Sequence, residues 1–300
     1  MNLIIRIAYP DYPCKDNVMD SDKLDRTKQI RDKFTALCKS EDGDIKLDEA
    51  ALLIAAEGYP ELDIQFFLQR LDAMADKFET LIKNTSDLGV SVAGLTQFIH
   101  QGEGFSGNTK NYYDPRNSFL NKVLENKRGI PITLALIHIS LGTRLGIQVH
   151  GMNFPGRFLV KYGSEPFTIV DPFSGRVLSP ADCNTLLKQI AGPKEVVKAH
   201  YFDTASNKDI LVRMLDNLKQ IYWQSKSWKE GLGCIERQML LKPNKQSYVI
   251  QLGVVHEMQG MFQRAKGIYT KLLQETTDDS IKELAGNRLI NMQGSGKTVH

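Results

Sequence analysis

Gly129-Ile130-Pro131-Ile132-Thr133-Leu134-Ala135-Leu136-Ile137-His138-Ile139-Ser140-Leu141-Gly142-Thr143-Arg144-Leu145-Gly146-Ile147 is the stretch on which the fold turns. Pro131 suits the first turn of a helix, where a missing N–H costs nothing. Behind it, Leu134, Leu136, Ile137 and Leu141 give a strongly apolar face that runs to Leu145 and belongs in a core. Just upstream, Asn117 or Ser118 can cap a shorter helix carrying Phe119, Leu120, Val123 and Leu124, closed by Lys127, Arg128 and Gly129. Past Gly146 the pattern changes to β-rich runs, Ile147 to Met152, Phe158 to Tyr162, Phe167 to Val170 and a short piece near Val177, divided by Pro155-Gly156, Gly163-Ser164 and Pro172 to Gly175. A small antiparallel sheet packed on one central helix follows. The Gly-, Asn- and Tyr-rich segment from Gly102 to Asp114 has no periodicity and reads as a loop long enough to cover a cleft.

Outward from this centre both flanks are helical. From Asp22 to Gln101 apolar residues recur at helical spacing: Leu24, Ile30, Phe34 and Leu37, then Leu47 to Ala56, then Phe66, Phe67, Leu71, Met74, Phe78 and Leu81. Gly58 and Pro60 separate the last two runs. From Asn207 onward, Leu218, Tyr222, Gly231 and Ile235 recur 34 positions later as Leu252, His256, Ala265 and Tyr269, and 34 residues is the tetratricopeptide period. Pro243 stands at that repeat's terminal proline, small Gly231 and Ala265 let paired helices approach, and a helix from Asp278 to Asn291 closes the array. The expected organisation is α+β: a helical region over 1–101, a sheet-containing core over 102–200 and a tetratricopeptide-type solenoid over 201–300.

Composition narrows the function. The chain has 300 residues, 42% of them hydrophobic, which allows about two buried cores. Its 38 Lys plus Arg against 35 Asp plus Glu leave a net charge of +3, so nothing points to nucleic acid or an anionic membrane. The mixed-sign run Lys15 to Lys33 reads as a solvated helix face. Cys14, Cys38, Cys183 and Cys234 lie too far apart for a C-x-x-C pair, and reduced thiols in a cytoplasmic protein are expected. Neither the short apolar run Leu3-Ile4-Ile5 nor the His138-interrupted run from Leu134 to Leu141 is long enough to anchor in or span a membrane. Gly294-Ser295-Gly296-Lys297-Thr298 lacks the first glycine of a phosphate loop, where Asn291 stands, and a following helix, so it reads as a tail. His100, His200 and His256 have no Cys or carboxylate at ligand spacing, so neither metal nor cofactor is expected.

Taken together, Gly129 to Leu134, Leu145-Gly146-Ile147, Pro155-Gly156-Arg157-Phe158-Leu159-Val160 and Val170-Asp171-Pro172-Phe173 resemble the bacterial SirB-like family. The resemblance extends upstream to Leu47-Asp48-Glu49-Ala50-Ala51-Leu52-Leu53-Ile54-Ala55 and downstream through the repeats. It implies a papain/transglutaminase-like core followed by tetratricopeptide repeats. Enzymes of that superfamily place a nucleophilic cysteine at the start of a buried helix and bring histidine and aspartate from neighbouring strands. Set on that pattern, Gly129 takes the glycine position, Pro131 the cysteine, Arg157 the histidine and Asp171 the aspartate.

Two of those three positions then lack the chemistry. Proline carries no thiol, and an arginine stays protonated and cannot serve as a general base. Thr133, still in the first helical turn, is the remaining hydroxyl, but a helix-start threonine ordinarily bonds to nearby backbone. For both His138 and His150 a packed or surface histidine is expected. Arg157 and Asp171, on successive strands, are placed to form an ion pair. A sharper alternative has Arg157 and the Pro131 helix start binding a small anion. The expectation is a non-catalytic protein that binds a protein or peptide, with Pro131, Thr133, Arg157 and Asp171 around the cleft. The competing expectation is an amide or ester hydrolase, or an acyltransferase, built on Thr133 and Asp171.

Overall fold

The computed structural model describes residues 21–83 and 88–295. Cys14, the start of the charged run before residue 21 and residues 296–298 lie outside them. Four helices open the fold: α1 (Ser21–Cys38), α2 (Leu47–Gly58), α3 (Ile64–Ile82) and α4 (Leu88–Gln97). Asp63 starts α3 by accepting from Phe66 N at 3.1 Å, and the i, i+4, i+7 spacing of Phe67, Leu71 and Met74 puts one stripe into the core. A π-helical turn, Phe98–Gly102, follows α4.

The short helix α5 (Leu120–Asn126) begins later than the sequence suggests. Pro115–Ser118 forms a separate 3-10 turn capped by Asp114, so the N-cap of α5 is Phe119, which offers no side-chain cap. Its end differs too: Lys127, at φ 56°, takes the left-handed position that Gly129 was expected to serve. Strands β1 (Ser106–Gly107) and β2 (Arg128–Gly129) pair in parallel, and β1 is the one regular piece of the Gly102 to Asp114 loop.

Helix α6 (Pro131–Arg144) is the axis of the molecule. Leu134, Ala135, Leu136, Ile137 and Leu141 are fully buried, each large one contributing roughly 1.5–3 kcal/mol. At its C-terminal end Arg144 pairs with Asp48 of α2 and Asp72 of α3, both at 2.6 Å, tying three helices together where a cation also suits the helix dipole. The four strands β3 (Val149–Met152), β4 (Leu159–Tyr162), β5 (Thr168–Asp171) and β6 (Arg176–Leu178) form an antiparallel meander in chain order. Val160 faces Val170, and Asp171 faces Arg176. The sheet sits tightly on α6, because a Cβ on Gly142 would come within 2.3 Å of the Val149 side chain.

Helix α7 (Pro180–Ala191) covers a small apolar cluster of Met152, Phe154, Leu159, Ile169, Cys183 and Leu187. The remaining helices α8 (Asn207–Gln224), α9 (Trp228–Leu241), α10 (Gln246–Met258), α11 (Phe262–Glu275) and α12 (Asp279–Ser295) each pack on their successor. The tight approach among them is at Gly253, where a Cβ would lie 2.3 Å from the Tyr269 ring. Gly231, expected to need its smallness, has room for a methyl at 3.7 Å from Trp223. One continuous core runs from Ile30 of α1 through α6 to Val255 of α10, while Ile250, Ala265, Tyr269, Leu272, Ile281 and Ala285 form a second cluster between α10, α11 and α12. Among the described residues no helix is long and apolar enough to cross a membrane. The fold is mostly helical with a small antiparallel sheet.

Candidate functional site

Asp171 ends β5 and is 6% exposed. Arg157, in the turn before β4, reaches it with Nη2 to Oδ2 at 2.9 Å and Nε to Oδ1 at 3.4 Å. The Phe173 amide donates to Oδ1 at 3.0 Å and the Ser174 hydroxyl to Oδ2 at 2.8 Å, so both oxygens are doubly engaged. The Arg157 guanidinium also lies 5.4 Å from the Phe173 ring centroid. The ion pair expected from the strand spacing is formed. Its effect is to neutralise the carboxylate with a cation that has no proton to give or take at working pH.

Pro131 opens α6 and is half-buried, while Thr133 is fully buried. The Thr133 hydroxyl donates to the Asn117 carbonyl at 2.7 Å, with the Ile130 carbonyl at 3.1 Å, and accepts from the Ile130 amide at 3.2 Å. A hydroxyl has one proton, and here it is committed to backbone. The two ends of the candidate site are joined through β1: Gly107 N donates to Phe173 O at 2.9 Å, and Gly107 pairs with Gly129 just ahead of Pro131. A Cβ on Gly107 would lie 2.4 Å from the Phe173 ring, so the residue after Asp171-Pro172 is seated directly on this strand.

Asn117 supplies the link that sequence reading did not anticipate. Its Nδ2 donates to Asn111 O at 2.7 Å and Tyr112 O at 3.2 Å, and its Oδ1 accepts from Asn108 Nδ2 at 3.0 Å. The residue read as a possible helix cap instead pins the loop over the start of α6. Tyr112, on that loop, meets Phe173 with ring centroids 6.1 Å apart.

A second group lies behind Asp171. His100, in the π-helical turn, approaches His138 of α6 with Nε2 to Nε2 at 3.2 Å, and its Nδ1 is 2.9 Å from Phe105 O. His138 Nδ1 in turn meets the Tyr162 hydroxyl. A carbonyl can only accept, so His100 carries its proton on Nδ1 and accepts at Nε2. His138 must then donate from Nε2 and accept from Tyr162 at Nδ1. One direction of donation, Tyr162 to His138 to His100 to Phe105, satisfies the whole chain. Burial pushes His138 down to about 3 and also lowers His100, against the opposing pull of the Phe105 carbonyl and the Asp171 charge. Both imidazoles are neutral near pH 7. His100 also packs under the turn that follows Asp171, where a Cβ on Gly175 would come within 2.6 Å of its ring. The pair is 38 residues apart in sequence, and the sole signal for it was a histidine inside an apolar helix, which needs partners wherever it is buried.

His150, by contrast, is exposed on β3. Cys38, Cys183 and Cys234 are free and buried, and burial raises them to about 12, 11 and 12, so each remains a thiol at neutral pH. Among the described residues no group of three or more His, Cys, Asp or Glu is arranged to hold a metal ion. A separate groove of about 580 Å³ lies on the α8 and α10 helices, lined by Asp216, Lys219, Gln220, Trp223, Gln224 and Gln251.

Residues 65–216 match the model of the transglutaminase-like superfamily, just over half of the chain and the part that contains α6, the sheet and the Arg157–Asp171 pair. A UPF0162 protein of Xylella fastidiosa is 29% identical over 274 residues, 89% of this chain and 97% of its own. Another UPF0162 protein, from Pseudomonas aeruginosa, is 35% identical over 176 residues, 59% of this chain and 64% of its own. F-box only protein 21 of Homo sapiens is 31% identical over 124 residues, 38% of this chain and 19% of its own. Among solved structures, menin aligns over 81% of this chain and 68% of its own at a TM-score of 0.35 and 12% identity, too remote to carry an argument. With the family's model spanning residues 65–216, more than half of the chain, the chain belongs to the transglutaminase-like superfamily.

Proposed function

We propose that the protein is a non-catalytic member of that superfamily, of the SirB-like type with tetratricopeptide repeats, which holds a protein or peptide segment in the cytoplasm and needs no cofactor. The observation that carries this reading is the Arg157–Asp171 pair at 2.9 Å: the one surviving acidic position is bound to a guanidinium where an imidazole would be required. Pro131 supplies no thiol, and the hydroxyl of Thr133 is spent on Asn117 and Ile130. Loss of both nucleophile and base removes most of the rate enhancement such a constellation provides, but leaves the surface that held a chain. Paired helices offer a groove to extended or helical segments, and the one beside Trp223 has the volume for several side chains.

The test is selection from a random peptide display library on the immobilised full chain, with hits remeasured by fluorescence anisotropy. Saturable binding that weakens about tenfold or more in Trp223→Ala supports the reading. Failure to recover any saturable peptide, or affinity untouched by Trp223→Ala, overturns it. The competing enzyme reading is decided by turnover, taken up at the end of the Discussion.

A further inference from the structure

Two of the guanidiniums near the loop that Asn117 ties down are already paired with an acid, while the exposed Arg128 bonds the Gly104 and Lys127 carbonyls. Arg116 is paired with Asp114 at 2.6 Å and Arg157 with Asp171 at 2.9 Å. Among the described residues, Arg213 of α8 has no carboxylate within ion-pair distance. Its Nη1 donates to the Asn153 side-chain oxygen at 3.3 Å, and its guanidinium lies 5.5 Å from the ring centroid of Phe158, the neighbour of Arg157. Asp216, one helical turn on, is engaged with Lys219 and Gln238. Burial lowers the Arg213 pKa, and Asp216 and the Tyr112 phenol only partly offset it. The Tyr112 hydroxyl in turn feels both Arg157 and Arg213.

A half-buried cation that has lost water without gaining an anion is an incomplete ion pair. The guanidinium makes one bond through one nitrogen, and its planar fork is shaped for a carboxylate. Asn153 and Phe158 fix its position without neutralising it. We infer that Arg213, held by Asn153 and Phe158, is the anchor for a carboxylate group of the bound segment, at the junction of the sheet and α8. This deepens the peptide-binding reading by naming the chemistry of the occupant, an acidic side chain or a chain terminus. It also replaces the sequence expectation that Arg157 itself would take the anion, since Arg157 already has Asp171.

The test is a titration of the purified full chain followed through the Nε–Hε NMR resonances of its arginines. The probes are N-acetylglutamate amide, N-acetylglycine, inorganic phosphate and the neutral N-acetylglutamine amide. The Arg213 resonance is identified by its absence in Arg213→Lys. The expected result is a saturable shift of that resonance with at least one carboxylate and none with the neutral amide. Affinity should fall about tenfold or more in Arg213→Gln and stay unchanged in Arg176→Gln. The first two probes distinguish an acidic side chain from a chain terminus. A response to phosphate alone, an equal response to the neutral amide, or full affinity in Arg213→Gln overturns the inference, as does the absence of any saturable shift. If Arg213→Gln does not fold, Arg213→Lys is read in its place by tryptophan fluorescence: it keeps the charge, loses the fork and should bind several-fold more weakly, and undiminished affinity overturns the inference. Small probes do not depend on a peptide having been found, so failure here leaves the display experiment to decide the broader reading.

Discussion

A carboxylate buried as deeply as Asp171 needs its cation, and this dependence gives the first prediction. Asp171→Ala leaves Arg157 without its partner and the Phe173 amide and Ser174 hydroxyl without their acceptor, and should cost about 3 kcal/mol or more in denaturant unfolding. The histidine chain gives a second, with a definite sign. Both His100 and His138 titrate lower in the fold than the ordinary 6.5, so below about pH 6.5 the unfolded chain takes up protons that the fold refuses. Stability should therefore be complete above that pH and decline toward acid, down to about 3 for His138, at no more than about 1.4 kcal/mol per pH unit for each histidine. His138→Gln, which cannot take the proton, should flatten the acid limb of unfolding measured across pH by about one proton. An unchanged slope would contradict a His138 that stays neutral in the fold. At this scale the Arg157–Asp171 pair was legible in the sequence because Arg157 lies just before one strand and Asp171 at the end of the next. His100 was not, because its meeting with His138 depends on how a π-helical turn lands against α6, and no local spacing encodes that.

Elements carry a different kind of information. Helix α6 was readable from Pro131 at its first turn and an unbroken apolar face, and the strands after it from Gly and Pro punctuation. The boundaries of α5 were not: Asn117 is drawn out of its capping role by the three loop bonds it makes, and Lys127 accepts a left-handed φ in place of a glycine. Removing those bonds with Asn117→Ala should cost about 3 kcal/mol, near 1 kcal/mol for each. Hydrogen exchange should show the amides of Asn111 to Asp114 loosening first. The helix-to-sheet contact gives the matching steric test. Gly142→Ala places a methyl 2.3 Å from Val149 and should destabilise by about 1–3 kcal/mol. Val149→Ala in the same chain should recover part of that loss, which a thermal double-mutant cycle would read directly. In the C-terminal helices the 34-residue recurrence located Ala265 and Tyr269, both fully buried, but assigned the close approach to Gly231 when the structure places it at Gly253. A period fixes which residues correspond; the size of the facing side chain, here Tyr269, decides which small residue is obligatory.

For the whole molecule, the order helix, strands, helices was legible because each segment announces its own periodicity. The shared core was not, since α1 and α10 enter one continuous apolar cluster through contacts far apart in sequence. That shared core includes Phe158, beside Arg157, and Val212, beside Arg213 of α8. On the proposed reading, this superfamily scaffold has lost acyl chemistry and kept a binding surface. The most direct measurement is turnover of a panel of fluorogenic amides and esters by the purified full chain, compared with Thr133→Ala and Asp171→Asn. Wild-type rates equal to those of both variants and to the uncatalysed background are expected. Turnover that is present in the wild type and lost in both variants would contradict that reading.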